Sequence, residues 1–270
     1  MVFANPLPSK DRLDDYNETY FDSAHGGHSS NKVALAFFSG ISRLRTAYIR
    51  RYLIKHGVGV KRLMEVGPGI GFFAKNWLKL NPEVQYFAIE SDHSCHSSLA
   101  DLGVTLFDMG TVKDGESPVD LIVMSHVLEH VGDPVKFLKE ASMGLRNGGV
   151  IFIEVPCQDW KHKTEDEPHL LFFEKKSMLN LMDRLGFVDI ELSYVGEKIA
   201  KLEDQSRSKK FLQKVRNKLL QFGCITPFSW PESGMEDLTD PLERAAVKPY
   251  MAHCESNEPA WWLRAIARKP

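Results

Sequence analysis

The 270-residue chain has no apolar run long enough to cross a bilayer, which takes roughly 18 to 20 residues. The longest near its start, Val33 to Phe38, is far shorter, which predicts a soluble protein without stable membrane insertion. Nor does charge of one sign prevail: 34 Lys+Arg face 36 Asp+Glu, a formal net charge of -2. A polyanion needs a basic field to hold it, so nucleic acid is excluded as a general partner. Cysteine is scarce. Cys95, Cys157, Cys224 and Cys254 include no CxxC pair, and Met1 to Lys10 carries no apolar signal-peptide core, so a reducing cytoplasm is the expected compartment. No internal repeat or low-complexity tract is present.

What the chain does contain is a regular alternation. Residues 1–57 read as a polar leader followed by a helix, with Val33, Phe37, Ile41, Leu44, Tyr48 and Tyr52 at helical spacing. From Arg62 onward, short β-rich runs (Leu63 to Val66, Gln85 to Ile89, Val104 to Phe107, Asp120 to Met124, Val150 to Val155) alternate with amphipathic runs (Phe72 to Leu80, His93 to Leu102, Pro134 to Leu145). That order predicts an α/β fold, a doubly wound parallel sheet covered on both faces. A helix over Lys175 to Leu185, a strand over Phe187 to Val195 and a last strand over Ala260 to Ala267 complete a main domain spanning 58–270. Between the last two strands, about 196–258 is an insertion, too long for a hairpin loop. Within it, Arg207, Lys209, Lys210, Lys214, Arg216 and Lys218 surround Phe211, Leu212, Val215, Leu219 and Leu220, giving a basic amphipathic helix.

The site argument starts at Glu65-Val66-Gly67-Pro68-Gly69-Ile70-Gly71. A glycine-rich turn directly after the first strand of the sheet lets backbone approach a ligand closely and presents the first N–H groups of the next helix. Glu90 ends the following strand, where an acid can accept hydrogen bonds from both ribose hydroxyls. A nucleoside cofactor follows. A dinucleotide turn has the spacing G-x-G-x-x-G, whereas here the third glycine comes one residue early and Phe72 stands in its place. That disfavours NAD, and no Tyr-x-x-x-Lys pair supports an oxidoreductase.

The E-x-G-x-G-x-G turn, the acid at Glu90 and the run Val127-Leu128-Glu129-His130-Val131-Gly132-Asp133-Pro134 together resemble class I S-adenosylmethionine-dependent methyltransferases. The likeness is to the small-molecule branch, the type 11 and type 23 methyltransferase-domain families with their sugar-modifying members, and runs from about Arg62 to Phe187. It implies a Rossmann-like seven-stranded sheet of order 3-2-1-4-5-7-6, with the last strand antiparallel. S-adenosylmethionine would be the cofactor. Glu65, Gly67, Gly69 and Gly71 would hold its methionine part, Glu90 its ribose and Asp108 its adenine amine. Ser125 and His126 would flank the sulfonium and the acceptor. The segment before the first strand, with Tyr16 and Tyr20, would fold over the cofactor as a lid.

Transfer from an activated methyl needs alignment and exclusion of water more than it needs a base. A hydroxyl or carbon acid would gain from one, and histidine has the suitable range. His126, after the fourth strand, and His169, in His169-Leu170-Leu171-Phe172-Phe173, are the catalytic candidates; His25, His28 and His162 read as loop residues. His93 and His96, with Asp92 and Cys95 beside them, have no second ligand pair to complete a zinc set, so no metal is expected. The partner expected is a small polar acceptor, with a sugar or saccharide-linked group ahead of a quinone, phenol or lipid. A homodimer is the oligomer to test, and Trp230, Trp261 and Trp262 are open to either acceptor or oligomer contact. The competing reading is a protein that keeps the cofactor motifs and binds without transferring methyl.

Overall fold

The runs Leu121 to Met124 and Val150 to Ile153 have no polar face, and every one of those eight residues is fully buried. Successive strand residues point to opposite sides of a sheet. Here Ile122, Met124, Ile151 and Ile153 enter one apolar cluster, while Leu121, Val123, Val150 and Phe152 enter another. Two cores, one on each face, therefore hold the central strands, as a sheet wound on both sides requires.

The computed structural model describes residues 2–19, 31–108, 118–161, 169–203, 207–224 and 234–270. In chain order its strands are β1 (Val2–Phe3), β2 (Arg62–Val66), β3 (Gln85–Ile89), β4 (Thr105–Leu106), β5 (Val119–Ser125), β6 (Leu145–Pro156), β7 (Leu171–Phe172), β8 (Val188–Lys198), β9 (Glu255–Ser256) and β10 (Ala260–Arg268). The helices are α1 (Lys10–Glu18), α2 (Lys32–His56), α3 (Phe72–Leu80), α4 (His96–Asp101), α5 (Pro134–Met143), α6 (Lys175–Arg184), α7 (Ile199–Glu203), α8 (Arg207–Gln221) and α9 (Pro241–Val247).

The main sheet has the spatial order β4-β3-β2-β5-β6-β10-β8-β9. Neighbours from β4 to β6 are parallel, and β10 is antiparallel to both β6 and β8. Its first seven positions reproduce the expected order 3-2-1-4-5-7-6. The eighth strand is the difference. As the insertion returns toward β10, Glu255–Ser256 pairs antiparallel with Tyr194 and Val195 on the outer edge of β8. Two residues of irregular sequence carry no period of their own, so pairing alone defines this strand. The stretch Leu145 to Gly149 belongs to β6 as a bulge: partner positions jump from Val119↔Leu145 to Leu121↔Val150.

Helix α2 links the sheet to the insertion. Asn31 caps its start by accepting from Val33 and Ala34 N–H, and Gly57 closes it in the left-handed region at φ 65°. Tyr48, Ile49, Tyr52 and Leu53 pack with Trp77 of α3 and Phe152 of β6. Ile41 and Leu44 pack with Leu238, Val247 and Trp262 of the insertion and β10. Gly40 permits this crossing, because a Cβ there would lie 2.8 Å from Val247 Cγ1. On the opposite flank, β1 pairs antiparallel with β7, and Ala4 N–H donates to Leu170 O at 2.9 Å. Helix α8 has the expected amphipathic sequence but keeps Phe211 and Leu212 each 65% exposed while burying Leu220. Among the described residues, no helix is long and apolar enough to cross a membrane. Tyr20, His25, His28, His162 and Trp230, singled out above, lie outside the described residues, as does part of the basic run's side chains.

Candidate functional site

In an open α/β sheet, ligands gather outside the carboxyl ends of the parallel strands. Here the ends of β2, β3 and β4 carry the glycine turn, Glu90 and Asp108, while those of β5 and β6 carry a cluster of charged side chains.

The turn is built by backbone. Gly67, Gly69 and Gly71 all have positive φ, at 69°, 56° and 83°, a region that costs other residues roughly 1–2 kcal/mol. Two of them are also confined sterically: a Cβ on Gly67 would stand 2.6 Å from Val127 Cγ2, and one on Gly71 would stand 2.8 Å from Leu102 Cδ1. Gly67 N–H donates to Ile89 O at 2.9 Å, fastening the turn to the end of β3. Glu90 fastens it again, its carboxylate accepting from Gly69 N–H at 2.8 Å and from Asp92 N–H at 2.9 Å. Burial raises the Glu90 pKa, opposed by these two N–H donors. Each carboxylate oxygen retains a lone pair for a ligand hydroxyl. Glu65 is buried beneath the turn and accepts from Tyr86 Oη at 2.5 Å. Burial pushes its pKa up to about 7, against the Tyr86 hydrogen bond. Asp108 is exposed, just beyond β4.

The other half is built by side chains. Ser125 ends β5, and its buried Oγ has no hydrogen-bond partner among the described residues. His126 follows in the left-handed region at φ 58°, held by donation of its N–H to Glu154 O at 2.8 Å. Its imidazole, one-third exposed, has Nδ1 at 3.3 Å from Glu129 Oε1 and Nε2 at 3.5 Å from Glu154 Oε1. Burial lowers its pKa, but the two carboxylates prevail and raise it; this favours imidazolium, which donates rather than accepts a proton. Glu154 itself is 1% exposed in β6 and paired with Arg45 of α2 at 2.5 Å and Arg264 of β10 at 2.6 Å. Burial would raise its pKa; Arg45 and Arg264 hold it well below the usual carboxylate range.

The turn Leu128 to His130 adds buried Glu129 and His130, and the segment before β7 adds buried His169. Leu170 N–H donates to Glu129 O at 2.8 Å, which brings these two stretches together. The His130 and His169 rings meet edge to face at 4.9 Å between centroids. Asp159 is hydrogen-bonded to His169 Nδ1. Tyr16 of α1 lies 6.2 Å from the His130 ring, so part of the N-terminal segment borders this cluster.

Of the residues singled out from sequence, Gly67, Gly69, Gly71 and Glu90 are thus assembled in one place, while Ser125, His126 and His169 meet at the neighbouring strand ends. His93 and His96 meet edge to face at 4.7 Å between centroids, but His96 Nε2 contacts Glu90 O at 3.0 Å and Asp92 caps Ser94. Trp262 is core, packed with Ile41 and Val195. Sequence reading missed Glu154, Arg45, Arg264 and Asp159. The signal for the first was a lone charge inside the apolar run Ile151-Phe152-Ile153-Glu154-Val155, since a charge placed there must be paired.

Residues 39–192 match the model of a family described as a methyltransferase domain, more than half of the 270 residues. Among curated proteins none matches this sequence. Solved structures share its fold. One is an S-adenosylmethionine-dependent methyltransferase of Thermotoga maritima, described as a possible histamine N-methyltransferase: 16% identity, 93% of this chain and 99% of that chain covered, TM-score 0.55. Another is the plantazolicin methyltransferase BpumL in complex with a triazolic substrate analogue and S-adenosylhomocysteine: 12% identity, 96% and 98% covered, TM-score 0.55. An S-adenosylmethionine-dependent methyltransferase of Archaeoglobus fulgidus aligns at 16% identity over 84% of this chain and 94% of that one, with a TM-score of 0.52.

Proposed function

We propose, because this chain belongs to the methyltransferase-domain family and its methyl donor is S-adenosylmethionine, that it passes the methyl group to a small polar acceptor held at the ends of β5 and β6. A hydroxyl of a sugar or saccharide-linked metabolite is the class to test first. The observation that carries this reading is the meeting of two unlike half-sites across Ser125: a backbone-built turn on one side and a buried cluster of histidines and carboxylates on the other.

The residues present fit the cofactor. Ser125 Oγ is a buried polar atom without a partner among the described residues, the kind of group a ligand completes. The left-handed turn leaves no room for side chains at Gly67 and Gly71. When bound, S-adenosylmethionine supplies a methyl group already activated by the sulfonium. In our reading Gly67, Gly69 and Gly71 shape the methionine end, and Glu90 accepts from the ribose hydroxyls while keeping its bonds to Gly69 and Asp92. Asp108 takes the adenine amine. Glu65, engaged by Tyr86, supports the turn from the strand below.

On the acceptor side, His126 and His169 divide the work. His126, between Glu129 and Glu154, is held toward imidazolium and orients an acceptor by donating a hydrogen bond. Asp159 fixes the tautomer of His169 through Nδ1, which makes Nε2 the nitrogen that faces chemistry. Such a buried carboxylate-histidine pair is suited to take a hydroxyl proton as the methyl transfers.

Calorimetric titration with S-adenosylhomocysteine, with NAD in parallel, is the direct check on the donor half. Micromolar binding of the first and none of the second is expected, and the reverse result sinks the reading. The acceptor half is checked by His169→Ala. It should keep S-adenosylhomocysteine affinity within about twofold and lower transfer to hydroxylated acceptors by about a hundredfold or more. Undiminished transfer removes His169 from the mechanism.

A further inference from the structure

We propose that Glu129, His130 and His169 form a three-ligand site for a divalent transition ion of the zinc class. Each residue is buried, and each offers one ligand atom within 4.8 Å of the other two. Two histidines and one carboxylate are a donor set used by catalytic zinc, where the fourth position stays open for water or substrate. Zinc bonds of about 2.0–2.2 Å put tetrahedral ligand atoms roughly 3.4 Å apart, so closing the site needs shifts on the order of 1 Å. Side-chain rotation supplies that much.

Two independent features point to a cation. The first is Glu129. It is 1% exposed and, among the described residues, both of its carboxylate oxygens lack an aligned hydrogen-bond donor. His126 Nδ1, at 3.3 Å, is within ion-pair distance but is not aligned for a hydrogen bond, and His130 Nε2 is at 3.9 Å. Glu129 faces His126, His130 and His169, so a cation bound between it and the latter two histidines adds direct oxygen coordination to its ion pair with His126. The second is Asp159. Metal-bound histidines characteristically donate their other ring N–H to a carboxylate, which sets the ring and its tautomer. Asp159 does this at His169 Nδ1.

The ligands come from two stretches brought together by the tertiary structure. Glu129 and His130 share the short turn after β5, His169 arrives with the segment leading into β7, and the Leu170-to-Glu129 backbone bond locks the two together. The ion lies on the acceptor side, beside His126. Its open position suits an acceptor oxygen, whose hydroxyl loses its proton more readily when metal-bound. That consequence rests on the methyltransferase reading. With an ion bound, His169 is a ligand and the hydroxyl proton leaves to water, whereas in the metal-free protein His169 takes that proton. The metal site itself stands without the transfer reading.

The test uses the full chain stripped with a chelator and titrated with Zn2+ by calorimetry and with Co2+ by visible absorption. One equivalent of either ion is expected, with the intense visible band of four-coordinate Co2+. Glu129→Gln and His169→Ala should each weaken Zn2+ binding at least tenfold. Asp159→Asn, which keeps the shape, should weaken it about 10- to 100-fold. His93→Ala, which alters the other histidine pair, should leave Zn2+ affinity unchanged. S-adenosylhomocysteine affinity is measured on every variant as the check on folding. Absence of stoichiometric binding to the wild-type chain overturns the site, as does binding that survives both Glu129→Gln and His169→Ala. Metal binding without S-adenosylhomocysteine binding would uphold the metal site and sink the transfer reading; the opposite pair of results would do the reverse.

Discussion

The two halves of the site are made in different ways. The glycine-turn half comes from one stretch, Glu65 to Phe72, plus Glu90, and its bonds are mostly donated by main-chain N–H groups. The histidine half draws Arg45 from α2, His126 and Glu129 from the end of β5, Glu154 from β6, Asp159 and His169 from the segment before β7, and Arg264 from β10. A half-site made of backbone is set by local conformation and tolerates any neighbour that leaves its space open. A half-site made of buried charges exists only when every partner arrives, because each missing partner leaves a charge uncompensated. The first should therefore respond to substitution through ligand affinity, and the second through stability and turnover.

The largest effect should come from Glu154→Gln. Removing the carboxylate leaves Arg45 and Arg264 with a neutral partner, and breaking a buried pair in this way costs about 3–5 kcal/mol. Urea denaturation of the two proteins at neutral pH reads it. The pH dependence has a definite sign. Glu154 has a depressed pKa in the folded chain, so its stabilisation is present above the unfolded value of 4.5 and is lost as pH falls toward the folded one. The wild-type midpoint should drop below about pH 4.5 more steeply than that of the variant. Parallel curves would remove Glu154 as the anchor of the histidine half.

Gly69→Arg should act on the other half alone. Its left-handed φ of 56° and the bulk of the new side chain should lower S-adenosylhomocysteine affinity at least a hundredfold, about 2.7 kcal/mol. The urea midpoint should move less than for Glu154→Gln. Affinity within tenfold of wild type would show that this turn is not where the ligand approaches.

Glu65 sharpens the comparison because its sign is opposite to that of Glu154. Its folded pKa is raised to about 7, so below about 4.5 it is protonated in both states and carries no penalty. As pH rises from there to about 7 the unfolded chain ionises first and stability is lost. Glu65→Gln should match wild type near pH 4 and exceed it by about 3 kcal/mol near pH 8. Equal stability at both pH values would place the carboxylate in a better-solvated setting than beneath the turn.

Ser125→Ala is the smallest test. With no partner for Oγ among the described residues, the substitution should leave stability unchanged or slightly higher. S-adenosylhomocysteine affinity should fall a few-fold, the value of about one hydrogen bond. An unchanged affinity would take Ser125 out of the cofactor contacts.

Much of this was legible in the residues. The bounds expected for the third helix, Phe72 to Leu80, and for the strand Gln85 to Ile89 are those of α3 and β3, because amphipathic period, glycine and β-branched or aromatic residues agree locally. The glycine turn and Glu90 were legible for the same reason, being a motif within a single strand-turn-helix-strand unit. His126 and His169 were visible only as candidates, since nothing local says which histidine has a carboxylate beside it. Asp159 sits in a stretch without period, and its role depends on a residue ten positions away in the chain. The β1 and β7 pairing joins Val2 to Phe172, a separation at which two-residue strands leave no pattern.

By itself, the sequence determined the alternation of elements, the burial of the central strands on both faces and the backbone geometry that a ligand meets at Gly67 to Gly71. These follow from side-chain period and from the freedom of glycine in φ, properties that act within a few residues. Only the tertiary structure decided which charges face one another: that Glu154 is shared by Arg45 and Arg264, that His126 lies between two carboxylates, and that Glu129, His130 and His169 converge. Electrostatic and ligand chemistry depends on distances of a few ångströms between groups far apart in the chain, and those distances exist only once the two faces of the sheet are covered.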